Sequence, residues 1–195
     1  MANKYMDTEF VDKALKFAIE AHANTERRGK GTPYVIHVLE AAAIVETMTK
    51  DPELLAAAAL HDTIEDTDVT AEDIIREFGP RVASLVVSES DVMPEGISEE
   101  DSWHMRKQAA MDRLAAASHD AKIVALGDKL SNMRAIYRDY LEIGDELWKR
   151  FHAPKPGDHE WHYRGLAKSL DELSEFDAYK EFVWRIDEVF KRETR

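Results

Sequence analysis

Apolar residues recur at intervals of three and four along most of this chain, which is the spacing of one face of an α-helix. In the N-terminal segment, Phe10, Ala14, Phe17 and Ala21 share such a face. No segment shows the strict alternation of a half-buried strand, so the sequence predicts an all-α fold. The pattern predicts helices over about residues 8–23, 33–48, 52–66, 70–78, 80–88, 101–117, from about 120 through 136, and two more between about 158 and 191.

Glycine and proline divide the chain at two places. Gly79-Pro80 separates two predicted helices, and residues 154–157 form the second break. Residues 89–100 are rich in acids and are predicted to form a mobile loop. Because 195 residues suit one sizeable domain, we predict a single helical bundle over residues 1–195.

Charge and composition narrow the classes of partner. A net charge of −13 disfavours long nucleic acids and anionic membranes, because both need a basic face. No apolar run approaches the roughly 20 residues of a membrane span, and the first residues lack the apolar core of a signal peptide. The absence of cysteine excludes thiolate ligands and fits a cytoplasmic location. A small phosphorylated substrate stays compatible with this composition, and the oligomeric state is not determined by it.

The helix predicted over 52–66 ends in a cluster of ionisable side chains. If this helix is continuous, His61 stacks beside Glu65, and Asp62 stacks beside Asp66. A solvated acidic helix end would look the same. The strongly apolar run that leads into the cluster favours burial instead, and buried charges of one sign need a cation. A metal ion is the simplest such cation.

Three other stretches carry side chains of interest, each with an ordinary alternative. His37 lies early on an apolar helix, where a lone histidine is more often a core residue than a ligand. Asp128 interrupts another apolar helix face, where an unpaired carboxylate would be costly. Arg27, Arg28 and Lys30 form a basic loop that by itself is typical of a solvated charge run. Together these stretches supply ligands for a metal and charge for a phosphate.

Four sequence blocks, taken together, resemble those of the HD-domain metal-dependent phosphohydrolases. The resemblance is closest to the hydrolase domain of the RelA/SpoT enzymes and to their small relatives of the Mesh1 type. It implies an HD-type helical bundle, with a family-like core over about residues 8–140 that the helices of about 141–195 complete. The blocks are Gly31–His37, Leu60–Thr67, Phe78-Gly79 and Leu126–Arg134.

The resemblance implies an activity and a set of site residues. The activity is removal of the 3′-pyrophosphate of ppGpp and pppGpp, the nucleotides of the stringent response, with one Mn²⁺ ion as cofactor. By position in the motifs, the expected metal ligands are His37, His61, Asp62 and Asp128, the expected catalytic residues are Glu65 and Asp66, and the expected substrate contacts are Arg28, Lys30 and Asn132.

Two alternatives stay open at this point. A phosphatase of the same fold could act on another nucleotide, such as NADPH at its 2′-phosphate or a nucleoside monophosphate. The chain could also be a catalytically silent module that binds a nucleotide, although a sensor has no need for the whole water-activating set.

Two further features of the sequence concern a glycine beside an expected ligand and the C-terminal histidines. Gly127 stands where the family usually has alanine, directly before the expected ligand Asp128. His152, His159 and His162 are interpreted as surface histidines of a polar linker and not as a second metal cluster.

Overall fold

The structure is a computed structural model that describes residues 7–27, 31–89, 99–151 and 155–191. Within these ranges the all-α prediction is confirmed, since the only extended pairing is an isolated bridge between Glu26 and Pro33. The predicted loop over 89–100 lies largely outside the described residues. Over the described ranges, no helix is both long enough and apolar enough to cross a membrane.

The α-helices are α1 (Thr8–Ala21), α2 (Val35–Glu46), α3 (Pro52–Leu60), α4 (Thr63–Asp66), α5 (Ala71–Phe78), α6 (Pro80–Glu89), α7 (Glu99–Ala115), α8 (His119–Ile143), α9 (Pro156–Ser169) and α10 (Asp177–Phe190), and 3₁₀ turns cover Gly144–Arg150 and Asp171–Leu173.

The chain forms two compact units, one of residues 1–90 with 119–131 and one of residues 91–118 with 132–195. Helix α8 therefore contributes its first half to one unit and its second half to the other. The assignment of residues 1–195 to a single domain stays a prediction.

Helix α3 is the centre of the first unit. Every residue from Leu54 to Leu60 is buried, and the helix packs against α1, α2 and α6. Its four consecutive alanines let these neighbours approach closely, while the leucines supply most of the buried apolar area. Asp51 caps the helix by accepting a hydrogen bond from the backbone N–H of Glu53 at 2.9 Å. This buried helix leads directly to the ionisable cluster.

Helix α5 is bounded as its sequence predicts. The Thr70 hydroxyl accepts a hydrogen bond from the Asp73 backbone N–H, and the Asp73 carboxylate accepts one from the Thr70 backbone N–H, which together make a capping box. Hydrogen bonds to the Asp73 carboxylate from the Thr70 hydroxyl, from the Thr70 backbone N–H and from Arg76 lower the pKa of Asp73 to about 2. At the other end Gly79 has φ of 89°, a left-handed conformation that favours glycine.

Gly127 allows α8 to approach α2 within the first unit. A β-carbon at this position would lie 2.6 Å from Val45 Cγ2 and 2.9 Å from the Ala41 carbonyl oxygen. A backbone carbonyl oxygen cannot move away by a change of rotamer, as a flexible side chain can. The glycine at this position is therefore a packing requirement of this chain, placed immediately before Asp128.

Gly127→Ala is expected to destabilise the protein. The overpacking cost of about 1–3 kcal/mol should outweigh the roughly 1 kcal/mol that alanine gains over glycine in helix propensity. Urea unfolding followed by circular dichroism would show a lower midpoint for the variant than for the parent. Adding Gly127→Ala to a Val45→Ala background should cost less, because the closest contact is then absent. A midpoint above that of the parent would contradict this account of the packing.

The second unit has a core built largely from aromatic and leucine side chains. Trp148 is almost fully buried and stacks on His159, with ring centroids 4.8 Å apart, and on Phe190 at 5.4 Å. Arg134 holds Glu181 through two hydrogen bonds of 2.8 and 2.6 Å, which tie α8 to α10 in this unit. The interpretation of His159 as a surface residue is wrong, because its ring is a buried stacking partner. His152 lies outside the described residues.

Candidate metal centre

The predicted continuity of the helix through Asp66 is wrong. Helix α3 ends at Leu60, α4 begins at Thr63, and His61 and Asp62 form the turn between them. Asp62 has φ of −96° and ψ of −1°, away from regular helix geometry. The predicted spacing of Asp62 and Asp66 is kept, because the Asp66 backbone N–H donates to the Asp62 carbonyl at 2.9 Å, one turn earlier.

The break has a local cause. The His61 ring nitrogen Nδ1 lies 2.8 Å from the Ala58 carbonyl oxygen, and the Thr63 hydroxyl donates to the Leu60 carbonyl at 2.7 Å. Side chains thus take carbonyls that the next turn of a helix would use. Adjacent residues of a regular helix do not face each other. The side chains of these two adjacent residues nevertheless meet here, with His61 Nε2 2.9 Å from Asp62 Oδ2.

Four side chains from three parts of the first unit converge at this turn. His37 comes from α2, His61 and Asp62 from the turn, and Asp128 from α8. The His37 and His61 Nε2 atoms are 3.3 Å apart. His37 Nε2 lies 3.1 Å from Asp128 Oδ1 and 3.5 Å from Asp62 Oδ2, and His61 Nε2 lies 2.9 Å from Asp62 Oδ2 and 3.5 Å from Asp128 Oδ1. Both histidines and Asp128 are buried.

Hydrogen bonds fix which nitrogen each imidazole presents. The Ser131 hydroxyl donates its single hydrogen to Glu40 Oε2 at 2.7 Å, so it accepts from His37 Nδ1–H at 2.8 Å. The carbonyl of Ala58 can only accept, so His61 Nδ1 also carries a hydrogen. In the neutral rings both Nε2 atoms therefore carry lone pairs, and these face two carboxylate oxygens. Such an array of acceptors calls for a cation at its centre.

The pKa shifts agree with a pocket that attracts positive charge. Burial alone would lower the pKa of His61, but the carboxylates of Asp62 and Asp128 outweigh it and raise that pKa well above its usual value. Burial alone would raise the pKa of Asp128, but Lys129 and the two imidazoles hold it well below its usual range. The pKa of Asp62 is depressed in the same way, chiefly by His61.

The two carboxylates are also held from outside the cluster. Tyr34 donates its hydroxyl hydrogen to Asp62 Oδ2 at 2.7 Å, and burial together with Asp62 raises the pKa of this phenol, so it stays protonated. Lys129 donates to Asp128 Oδ2 at 2.5 Å and to Glu89 Oε2 at 3.3 Å. Burial raises the pKa of Glu89. These partners orient the ligand oxygens that point at the histidines.

The geometry of the cluster fits a divalent metal ion. Ligand atoms about 2.1 Å from an ion lie about 3.0 Å apart in octahedral and about 3.4 Å apart in tetrahedral geometry. The separations of 2.9–3.5 Å that the imidazole nitrogens make with each other and with the two carboxylate oxygens lie within about 0.1 Å of this range. His37, His61 and Asp128 form the only metal-ligand group of this kind among the described residues, and Asp62 adjoins it through Oδ2.

The structure describes three of the five other predicted site residues. Glu65 and Asp66 are exposed on α4 and line an open cavity of about 620 Å³. Asn132 is half-buried on α8, one residue after Ser131. Arg28 and Lys30 lie outside the described residues. The roles given to these five residues stay predictions.

Sequence reasoning missed the residues that support the ligands. Tyr34 and Lys129 lie within the quoted motifs, directly beside positions of interest, but their contacts depend on the tertiary fold. Glu40 and Ser131 are 91 positions apart. Glu40 stands three residues after His37, and Ser131 stands three residues after Asp128. The sequence signal for these two residues was this spacing, which places each of them on the same helix face as an expected ligand.

Comparison with known proteins gives a consistent relationship. The sequence profile of the HD domain matches residues 14–151. A zebrafish (Danio rerio) protein named guanosine-3′,5′-bis(diphosphate) 3′-pyrophosphohydrolase MESH1 is 36% identical over 136 residues, which are 67% of this chain and 71% of that protein. The Aquifex aeolicus protein named guanosine-3′,5′-bis(diphosphate) 3′-pyrophosphohydrolase is 34% identical over 66% of this chain, but the match spans only 18% of its own length.

Solved structures show the same fold. A metazoan ortholog of SpoT, described as hydrolysing ppGpp, is 27% identical, has a TM-score of 0.68, and aligns over 98% of this chain and 99% of its own. A protein of Listeria monocytogenes EGD-e aligns over 80% of this chain and 99% of its own with a TM-score of 0.70 at 24% identity, which is a likeness of fold.

Proposed function

Since this chain belongs to the HD domain family, in the branch of the RelA/SpoT hydrolase domains, we propose that it is a metal-dependent phosphohydrolase that removes the 3′-pyrophosphate of ppGpp and pppGpp. The observation that carries the proposal is the convergence of two imidazole Nε2 atoms and two carboxylate oxygens in one pocket. The names of the relatives support the choice of substrate.

We propose Mn²⁺ as the cofactor and His37, His61, Asp62 and Asp128 as its ligands. Two imidazoles and two carboxylates suit a divalent transition ion, and four protein ligands leave positions for water and phosphate oxygen. When bound, such an ion lowers the pKa of water and neutralises charge on the attacked phosphoryl group. The cytoplasmic location predicted from the sequence stays a prediction.

The chain's own residues have separate tasks in this proposal. Glu65 or Asp66 takes or orients a proton of the attacking water, and their exposure on the cavity wall leaves them accessible to a substrate. Tyr34 and Lys129 keep the ligand carboxylates in place. Arg28, Lys30 and Asn132 are the proposed nucleotide contacts, and a positive loop would offset the repulsion between a substrate and an acidic chain.

The proposed reaction is a simple hydrolysis. Water adds its hydroxyl to the phosphorus bonded to the 3′ oxygen, and the bond between that phosphorus and the 3′ oxygen breaks. The 3′ oxygen takes up a proton. The products are pyrophosphate and GDP from ppGpp, or pyrophosphate and GTP from pppGpp.

A substrate panel tests the choice of nucleotide. The full chain is incubated with Mn²⁺ and, in separate reactions, with ppGpp, NADPH and the common nucleoside monophosphates. We expect ppGpp to have the highest kcat/KM. A higher kcat/KM for NADPH or for a nucleoside monophosphate would assign the chain to a different phosphatase activity, and binding without turnover of any compound would indicate a silent nucleotide-binding module.

A further inference from the structure

We propose that Glu40 and Ser131 form a hydrogen-bonded relay that holds His37 as a metal ligand and sets the affinity of the centre for its ion. This inference rests on the proposed function, because it assumes that His37 binds a divalent metal. Neither residue belongs to the ligand set or to the proposed catalytic pair. The relay runs from the Glu40 carboxylate through the Ser131 hydroxyl to the His37 ring.

The relay is built by helical spacing on two elements. On α2, His37 and Glu40 are three residues apart and lie on the same face. On α8, Asp128 and Ser131 have the same spacing. Asp128 Oδ1 lies 3.1 Å from Nε2 of the His37 ring, and Ser131 Oγ lies 2.8 Å from Nδ1 of the same ring. One turn of α8 therefore contacts both nitrogens of a single imidazole.

The positions of the hydrogens give the relay a direction, with His37 donating to Ser131 and Ser131 donating to Glu40. Serine has one hydroxyl hydrogen, and here it goes to Glu40 Oε2 at 2.7 Å. His37 must then donate from Nδ1, which leaves the lone pair on Nε2 toward the cluster. Ser131 is 1% exposed, so water does not readily replace its hydroxyl. Without the Ser131 hydroxyl as acceptor, the His37 ring would lose the hydrogen bond that keeps its hydrogen on Nδ1.

The charge of Glu40 adds a second effect. A carboxylate that accepts from Ser131 polarises the hydroxyl and, through it, the N–H bond of His37. Outer partners of this kind raise the basicity of a ligating histidine and fix its orientation, and their loss typically weakens metal affinity about 10–100-fold. The two members should act as one unit, because the influence of Glu40 on the ring passes through Ser131.

Calorimetric titration of Mn²⁺ into metal-stripped full-length protein tests the relay. Ser131→Ala should raise the Kd by about 10–100-fold. Glu40→Gln should raise it less, because an amide oxygen still accepts from Ser131 but has no charge. The double variant should match Ser131→Ala alone, since residues that act through one path are not additive.

Two matched controls separate the relay from general damage. Ser102→Ala removes another fully buried serine hydroxyl, which accepts from Arg106 Nε at 3.2 Å in the second unit. Glu46→Gln removes a carboxylate from the same helix as Glu40, where it pairs with Lys50. Both controls should bind Mn²⁺ as the parent does. Circular dichroism should show the parent's helical content in every variant.

The results of the titrations distinguish failure of the metal centre from failure of the relay. A parent that binds no Mn²⁺ would overturn the metal centre, and the relay with it. A parent that binds Mn²⁺ while Ser131→Ala and Glu40→Gln keep its Kd would overturn the relay alone. Additive losses in the double variant would also overturn it, because they would mean that the two residues act independently. If Ser131→Ala lost its fold, Glu40→Gln would decide by itself, with an unchanged Kd as the contrary result.

Discussion

Asp128→Asn is expected to lose tight Mn²⁺ binding and, with it, nearly all hydrolysis of ppGpp. The substitution keeps the shape of the side chain but removes the charge that faces His37 and His61. The rise in Kd should exceed the roughly 100-fold that marks the upper end of effects from outer partners. Calorimetry gives the Kd, and release of pyrophosphate gives the activity. The helical content should stay that of the parent, because asparagine keeps the size and shape of the side chain on α8.

Asp120→Asn is the matched control for that variant. Asp120 also lies on α8, but it is partly exposed and pairs with Arg81 at 2.8 Å. Its loss should leave Mn²⁺ affinity and kcat unchanged, since surface ion pairs contribute little. If Asp128→Asn bound the ion as tightly as the parent, Asp128 would not be a ligand, and the convergence of the four side chains would need another explanation.

Glu65→Gln and Asp66→Asn are expected to separate catalysis from metal binding. Both variants should retain the Kd of the parent for Mn²⁺, because neither residue belongs to the buried ligand cluster. The residue that handles the proton of the attacking water should lower kcat by about 10²–10⁴-fold when it is neutralised. Single-turnover hydrolysis of ppGpp at saturating Mn²⁺ measures this directly.

Asp68→Asn provides the control for the acidic pair. Asp68 is exposed and lines the same cavity as Glu65 and Asp66, so its removal changes the local charge without touching the proposed proton path. Its kcat should equal that of the parent. Unchanged kcat in both Glu65→Gln and Asp66→Asn would mean that neither acid activates water and that their role is structural.

Helical periodicity was sufficient to predict most of the helices of this fold, although it merged α3 and α4 into one. The bounds of α1, α5 and α6 follow from their apolar spacing and from local devices such as the Thr70 capping box and Gly79. These are short-range effects, and a sequence carries them directly. Periodicity also placed His37 and Asp128 on buried helix faces, where an unexplained polar group needs a partner.

The parts that sequence did not predict depend on contacts between distant residues. The break after Leu60 arises because side chains of His61 and Thr63 take backbone carbonyls, which competes with helix propensity in a context of strong helix formers. The pairing of Glu40 with Ser131 exists only once α2 and α8 pack together. His159 was misjudged because its stacking on Trp148 is likewise a tertiary contact.

The most direct test of the central claim is Mn²⁺ titration of the metal-stripped chain in the presence of ppGpp, with products separated by anion exchange. The account predicts no cleavage without the ion. As Mn²⁺ is added, GDP and pyrophosphate should appear in equal amounts, and activity should saturate at one ion per chain. Cleavage of ppGpp in the presence of a metal chelator, or intact ppGpp at saturating Mn²⁺, would contradict it.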